Sequence, residues 1–217
     1  MKIMGISGSQ DASEVLLGHA LNACASITDG VSEIVRINDY NILPCKACGM
    51  CMKGMGCSQY DKKNDEFSNL VERLLTADAF IFSESCGEMQ CCSSVFSHFW
   101  ERSRLLFEKE HSSEWGFDVD QVERNPFQYK VIATLVTFEE SGGASLAVDI
   151  SEHVQYGFRF TNEITLGVYL PRVEDGKQYI KQYDIEAAEA LGIRLGEVIK
   201  SELCMIQIEI INGKQII

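Results

Sequence analysis

Short apolar runs alternate along this chain with longer stretches of helical periodicity. The apolar runs predict five strands, at Lys2–Ser7, Val31–Ile37, Ala79–Ser83, Lys130–Thr137 and Ile164–Tyr169. The stretches between them carry apolar residues at three- and four-residue spacing and predict helices at Ser13–Ile27, Asp65–Thr76, Ser93–Glu108, Ser145–Tyr156 and Asp184–Ser201. This alternation predicts an α/β fold with a parallel sheet, whose ligand loops lie at the carboxyl ends of the strands.

Three segments depart from the alternation. A cysteine-rich loop at residues 38–60 and the segment Glu110–Gln128 are candidate functional loops, because long irregular connections in a compact domain usually carry function. The tail Met205–Ile211 alternates in hydropathy and predicts an edge strand or a hairpin.

Length and charge narrow the possible classes of protein. With 217 residues, of which 46% are hydrophobic, the chain predicts one domain spanning 1–217. No signal peptide is evident, and no apolar stretch approaches the roughly 20 residues that cross a bilayer, so we expect no membrane association. The net charge of −13 disfavours nucleic acid as a partner. Nine cysteines without a secretion signal predict a reducing, cytoplasmic location.

Four of the cysteines form the strongest motif in the chain. Cys45, Cys48, Cys51 and Cys57 have the spacing C-x2-C-x2-C-x5-C. Such spacing lets four thiolates surround one inorganic core, and the ligand count matches a 4Fe-4S cluster. Zinc also binds four thiolates, although its usual sites pair two knuckles across a longer spacer. A metal-free loop of reduced cysteines is the third alternative.

The sequence also resembles a known family. Lys2–Ser9 and Asn41–Cys45, together with the cysteine spacing, resemble the iron-sulfur flavoproteins within the NADPH-dependent FMN reductase family, over about the first 105 residues. The resemblance implies a three-layer α/β/α flavodoxin-like fold with a five-stranded parallel sheet in the order 2-1-3-4-5. It also implies an oxidoreductase that holds FMN near a 4Fe-4S cluster, with NADPH as a possible reductant. Its members form homodimers or homotetramers and pass electrons to a redox partner protein or a small acceptor.

By the same resemblance, three loops would bind the FMN. The implied cofactor-binding residues are Ser7, Ser9, Gln10, Ser13, Ser83, Glu84, Ser85, Cys86, Gly87, Ser141, Gly142 and Gly143. The first loop departs from the family pattern, because Gln10-Asp11 stands where the family usually has Pro-Arg, and Glu14 follows. We interpret both acids as helix N-terminal residues.

Two functional hypotheses follow. The first is an oxidoreductase or electron carrier in which electrons pass between FMN and the cluster. The second is a flavin-free module that binds a cluster or zinc and acts as an electron relay or in interactions, which the altered flavin loops motivate. The remaining cysteines, including Cys24, Cys86 and Cys204, are interpreted as small packed hydrophobes.

Overall fold

A computed structural model of the chain describes residues 1–50, 57–59, 63–86, 94–103, 130–139, 163–170 and 179–211, with side chains up to residue 201. Within these ranges, five strands form one parallel sheet in the order β2-β1-β3-β4-β5. The strands are β1 (Lys2–Ser7), β2 (Val31–Arg36), β3 (Ala79–Cys86), β4 (Val131–Phe138) and β5 (Glu163–Tyr169). The predicted fold class and strand order are confirmed.

Four helices are described around the sheet: α1 (Ala12–Thr28), α2 (Phe67–Leu75), α3 (Ser94–Ser103) and α4 (Gln182–Ile211), with a short 3-10 helix at Ile37–Asp39. Helix α1 begins where Asp11 accepts a hydrogen bond from the Ser13 N–H. It ends at Asp29, whose left-handed conformation lets its N–H bond to the Ala25 carbonyl.

The alternation of side chains along the strands divides the core between the two faces of the sheet. Met4, Ile6, Phe80 and Phe82 pack with α2 and α3 on one face. Ile3, Ala79, Ile81 and their neighbours pack with α1 and α4 on the other. Strands that are buried on both faces explain the continuous apolar runs in the sequence.

The element boundaries agree with the predicted ones to within two residues where both are described, except that β3 extends to Cys86 rather than Ser83 and α4 to Ile211 rather than Ser201. The predicted helix Ser145–Tyr156, the segment Glu110–Gln128 and residues 51–56 and 60 of the cysteine-rich loop lie outside the described residues. The tail prediction is wrong: Met205–Ile211 continues α4 as helix and forms no strand. Alternating hydropathy over so few residues did not outweigh the continuation of a helix that was already formed. In the described part of the chain, no helix is long and apolar enough to span a membrane.

Helices α1 and α4 approach closely at a glycine, which leads to a stability prediction. A Cβ on Gly192 would lie 2.0 Å from the Ala20 carbonyl oxygen, whereas a Cβ on Gly18 would meet no heavy atom within 4 Å. We expect Gly192→Ala to lower the free energy of unfolding by about 2 kcal/mol, because the helices must move apart. The matched variant Gly18→Ala should raise it by about 0.5–1 kcal/mol through helix propensity. Urea unfolding of both variants measures the change. Similar changes in the free energy of unfolding of the two variants would contradict the close contact of α1 and α4 at Gly192.

Candidate functional site

The first loop of the candidate site follows β1, next to the point where the strand order reverses. In the sheet, β2 lies on one side of β1 and β3 on the other side. The loop after β1 therefore lies at the crevice where doubly wound sheets bind ligands. The Gly8 N–H donates to the Ser83 carbonyl at 2.9 Å, and Asn38 Nδ2 donates to the Gly8 carbonyl at 2.7 Å. The loop is therefore held by both neighbouring strands.

The hydroxyl groups of this loop are bonded within the loop. The Ser9 hydroxyl donates to Asp11 Oδ1 at 3.1 Å and lies 2.7 Å from the Ser13 hydroxyl. Asp11 Oδ1 also accepts the Ser13 N–H at 2.8 Å. The Ser7 hydroxyl is 3.0 Å from Glu14 Oε2 and 2.6 Å from the Ser9 carbonyl. Gln10, also predicted here, is exposed.

Glu14 carries the ion pair of the loop. Arg36 donates to its carboxylate from Nε and from Nη2, with the shortest contact at 2.6 Å. These bonds from Arg36 hold the pKa of Glu14 below its ordinary value, and the Ser7 hydroxyl acts in the same direction against the opposing effect of burial. The arginine that the structure places at this loop is thus already engaged by an acid.

Glu84 closes the loop from the β3 side. Its side chain is 1% exposed, and its carboxyl group lies over Gly8, where an added Cβ would be 2.0 Å from Glu84 Oε2. The face of Gly8 that carries no side chain is therefore covered by Glu84.

The second loop is described only up to the end of β3. The Ser83 hydroxyl donates to the Ser13 carbonyl at 3.2 Å, which joins the two loops. Cys86 is buried in the core with α2 and α3, so its interpretation as a packed residue is confirmed, as it is for Cys24. Thr137, which pairs with Ser85 at the carboxyl end of β4, is buried, and its hydroxyl has no hydrogen-bond partner among the described residues. The predicted residues Gly87, Ser141, Gly142 and Gly143 lie outside the described residues.

The cysteine-rich segment begins immediately after β2, beside this crevice, and contacts join its two ends. Gln59 Nε2 donates to the Pro44 carbonyl at 2.6 Å, and Cys48 Sγ lies 3.4 Å from the Ser58 hydroxyl. The Leu43 N–H reaches Asp65 Oδ1 at 3.2 Å. The segment therefore folds back so that Pro44 lies beside Gln59 and Cys48 beside Ser58.

Hydrogen-bond donors also surround the described thiols. The Ala47 N–H lies 3.4 Å from Cys45 Sγ, and the Gln59 N–H lies 3.4 Å from Cys57 Sγ. Bonds from the Ser58 hydroxyl and the Met50 backbone lower the pKa of the Cys48 thiol. Such donors favour the thiolate, which is the form that ligates metal.

A buried arginine supports the segment from α3. Arg102 is 1% exposed; its Nη1 bonds to Asp65 Oδ1 and to the Leu43 carbonyl, and its Nη2 lies 3.9 Å from Cys57 Sγ. Its guanidinium stacks 4.4 Å from the centre of the Phe67 ring. Arg102 was not among the residues predicted from the sequence, although a charge three residues after Phe99, on the apolar face of α3, was a signal that it has a buried partner.

Cys45, Cys48 and Cys57 form no disulfide within the described part of the chain; Cys45 and Cys48 are exposed and Cys57 is half-buried. Among the described residues, no group of three or more His, Cys, Asp or Glu side chains is close enough to hold a metal ion. Cys51, the fourth predicted ligand, lies outside them. Metal ligands commonly converge only as the metal binds, so the predicted ligand set stays a prediction.

Comparison with known proteins identifies the family. Residues 1–162 match the family described as NADPH-dependent FMN reductase. The chain belongs to this family. It is a family of flavin-binding oxidoreductases, and its description supports the predicted FMN and NADPH at the level of the family.

Among individual proteins similar to this FMN reductase family member, one matches part of the sequence and others share its fold at low sequence identity. An iron-sulfur flavoprotein of Archaeoglobus fulgidus is 32% identical over 84 residues, which are 37% of this chain and 38% of that protein. A flavone reductase has a TM-score of 0.61 at 17% identity. The match covers 92% of this chain and 63% of the flavone reductase. RosB, solved with 8-demethyl-8-formylriboflavin-5'-phosphate, has a TM-score of 0.62 at 13% identity, with 96% of this chain and 86% of RosB covered. The chain spans less than two thirds of the first two relatives, and the solved structures show the flavodoxin-like fold.

The two cofactors implied for the family fit this chain differently. The cysteine-rich segment suits a cluster, because backbone N–H groups donate to its thiols and the bond from Gln59 to the Pro44 carbonyl joins its two ends. The β1–α1 loop does not fit the phosphate of FMN. The carboxylates of Asp11 and Glu14 already accept hydrogen bonds from its serine hydroxyls, and the carboxyl group of Glu84 occupies the space over Gly8.

Proposed function

We propose that this protein is an electron-transfer oxidoreductase that carries a 4Fe-4S cluster on Cys45, Cys48, Cys51 and Cys57. The observation that carries the proposal is the closure of the segment by the contact of Gln59 with the Pro44 carbonyl. A 4Fe-4S cluster, when bound, accepts and donates single electrons at low potential. The similarity to an iron-sulfur flavoprotein of Archaeoglobus fulgidus supports the same assignment.

The residues around the segment have distinct roles in this proposal. The N–H groups of Ala47 and Gln59 stabilise negative charge on Cys45 and Cys57. Arg102 holds the carbonyl of Leu43 and adds a positive charge beside Cys57, which favours the reduced form of a bound centre. The exposure of Cys45 and Cys48 supports our proposal that a redox partner protein or a small acceptor approaches this side of the segment.

The segment also lies beside the flavin crevice of the fold. Asn38, at the start of the segment, donates to the Gly8 carbonyl in the β1–α1 loop. A flavin held in this crevice would supply hydride chemistry with NADPH, which the family's description names, and the cysteine-rich segment would hold the group that accepts its electrons. A flavin-free relay or a zinc module is the second candidate, which the acids of the β1–α1 loop favour.

Metal and sulfide analysis of anaerobically purified protein tests the proposal. We expect about four iron atoms and four acid-labile sulfides per chain, together with a broad absorption shoulder near about 400 nm. Iodoacetamide labelling followed by peptide mapping should show Cys45 and Cys48 protected in this sample and labelled after the metal is chelated. Zinc in place of iron would support the zinc module, and absence of both metals would contradict the proposal.

A further inference from the structure

We infer that the β1–α1 loop rejects a phosphate group, and that the crevice of this protein takes a flavin whose ribityl chain ends in a hydroxyl, with riboflavin as the model ligand, in preference to FMN. The inference deepens the flavin part of the proposed function and rests on it. It is carried by the positions of Asp11, Glu14 and Glu84 around Gly8.

The first argument concerns hydrogen-bond chemistry. An ionised carboxylate only accepts hydrogen bonds, and a phosphate dianion also only accepts them, so the two cannot bond to each other. Asp11 Oδ1 accepts from the Ser9 hydroxyl and from the Ser13 N–H, and Glu14 Oε2 accepts from the Ser7 hydroxyl. A phosphate could take these donors only if it displaced a carboxylate of the protein from each of them.

The second argument concerns charge. Anion sites at helix N-termini use free N–H groups and the positive end of the helix. Here Asp11 is the N-cap and already compensates the N-terminus of α1. Arg36, the cation that the structure places at the loop, is bound by Glu14 through two nitrogens. A dianion would therefore meet acids whose charge is only partly balanced, and like charges a few ångströms apart repel strongly in a crevice of reduced dielectric.

The third argument is steric and does not depend on the ionisation of any group. The Glu84 carboxyl group fills the space over Gly8 where a ligand would otherwise approach the backbone, so closely that a single added carbon would be 2.0 Å from Oε2. The side chain is 1% exposed, so it is packed in this position. A phosphate could approach the backbone at Gly8 only if the buried Glu84 side chain moved out of this position.

The same groups suit a hydroxyl. A carboxylate oxygen readily accepts a hydrogen bond from a ligand hydroxyl, and dinucleotide sites use an acid for a free ribose hydroxyl but an arginine for its phosphorylated form. A terminal ribityl hydroxyl can therefore replace the Ser9 or Ser7 hydroxyl on Asp11 or Glu14 without placing a new charge in the loop. The unpartnered hydroxyl of Thr137, at the carboxyl edge of the same sheet, is a further polar group that a ligand can satisfy.

The experiment compares riboflavin and FMN, which differ only in the phosphate. The full-length protein, freed of co-purified flavin, is titrated with each compound, and quenching of flavin fluorescence reports binding. We expect riboflavin to bind at least about tenfold more tightly than FMN. Equal binding, tighter binding of FMN, or binding of neither flavin would overturn the inference.

Two variants test whether the acids cause the preference. Asp11→Asn retains a good N-cap and removes one charge, so FMN affinity should rise about tenfold, whereas riboflavin affinity should not rise, because the amide oxygen is a weaker acceptor for a ribityl hydroxyl than the carboxylate. Glu84→Ala opens the space over Gly8 and should also favour FMN. The matched control is Asp29→Asn at the opposite end of α1, where asparagine tolerates the left-handed conformation and the preference should not change. An equal response of Asp11→Asn and Asp29→Asn would contradict a local effect.

Iron and sulfide measured in the same preparation separate this inference from the proposed function. A protein that holds the cluster but prefers FMN overturns the inference alone. A protein that prefers riboflavin but holds no iron overturns the proposed cluster and leaves the inference standing.

Discussion

Replacing Cys45 with serine is expected to lower the iron content of the anaerobically purified protein from about four atoms per chain to below about one. A serine hydroxyl is a poor ligand for this type of cluster, and the remaining thiols cannot complete the coordination. Cys45 is exposed, and its thiol accepts a bond from the Ala47 N–H, so the substitution removes no core contact. The effect should therefore appear as loss of iron and sulfide with an unchanged far-UV circular dichroism spectrum.

The matched control for this prediction is Cys24→Ala. Cys24 lies in α1, is fully buried, and has its pKa raised to about 11 by burial, so it is not available as a thiolate ligand. This variant should keep its full iron content despite some loss of stability. If Cys24→Ala loses as much iron as Cys45→Ser, the cysteine-rich segment is not the site of the metal.

Replacing Arg102 with methionine is expected to lower the free energy of unfolding by about 3–5 kcal/mol. Methionine keeps the length of the side chain but leaves the Asp65 carboxylate, which is 0% exposed, without its cation. The substitution also removes the stacking on Phe67 and the bond to the Leu43 carbonyl. Chemical unfolding in urea measures the change.

Two further variants separate the buried charge from other effects of this substitution. Arg194→Met removes an exposed partner of Glu197 and should change stability by no more than about 0.5 kcal/mol. Adding Asp65→Asn to Arg102→Met should recover part of the loss, because the unpaired buried charge is gone. If Arg102→Met behaves like Arg194→Met, the buried pair does not stabilise the fold.

The sheet could be predicted from sequence because strands buried on both faces leave continuous apolar runs, such as Ala79–Phe82 and Val131–Val136. The closure of the cysteine segment depended on contacts that local sequence does not specify. Gln59 reaches Pro44 across 15 positions, and Arg102 reaches Leu43 across 59. The acids at the β1–α1 loop were evident in the sequence, but the cover that Glu84 provides over Gly8 became clear only in three dimensions.

The hydrogen bond from Asn38 to the Gly8 carbonyl joins two loops that the chain separates by 30 positions. Because this bond is shared, neither loop can swing outward without breaking a bond of the other. Local opening at one loop therefore raises the probability of opening at its neighbour. A single amide side chain therefore links the two loops mechanically.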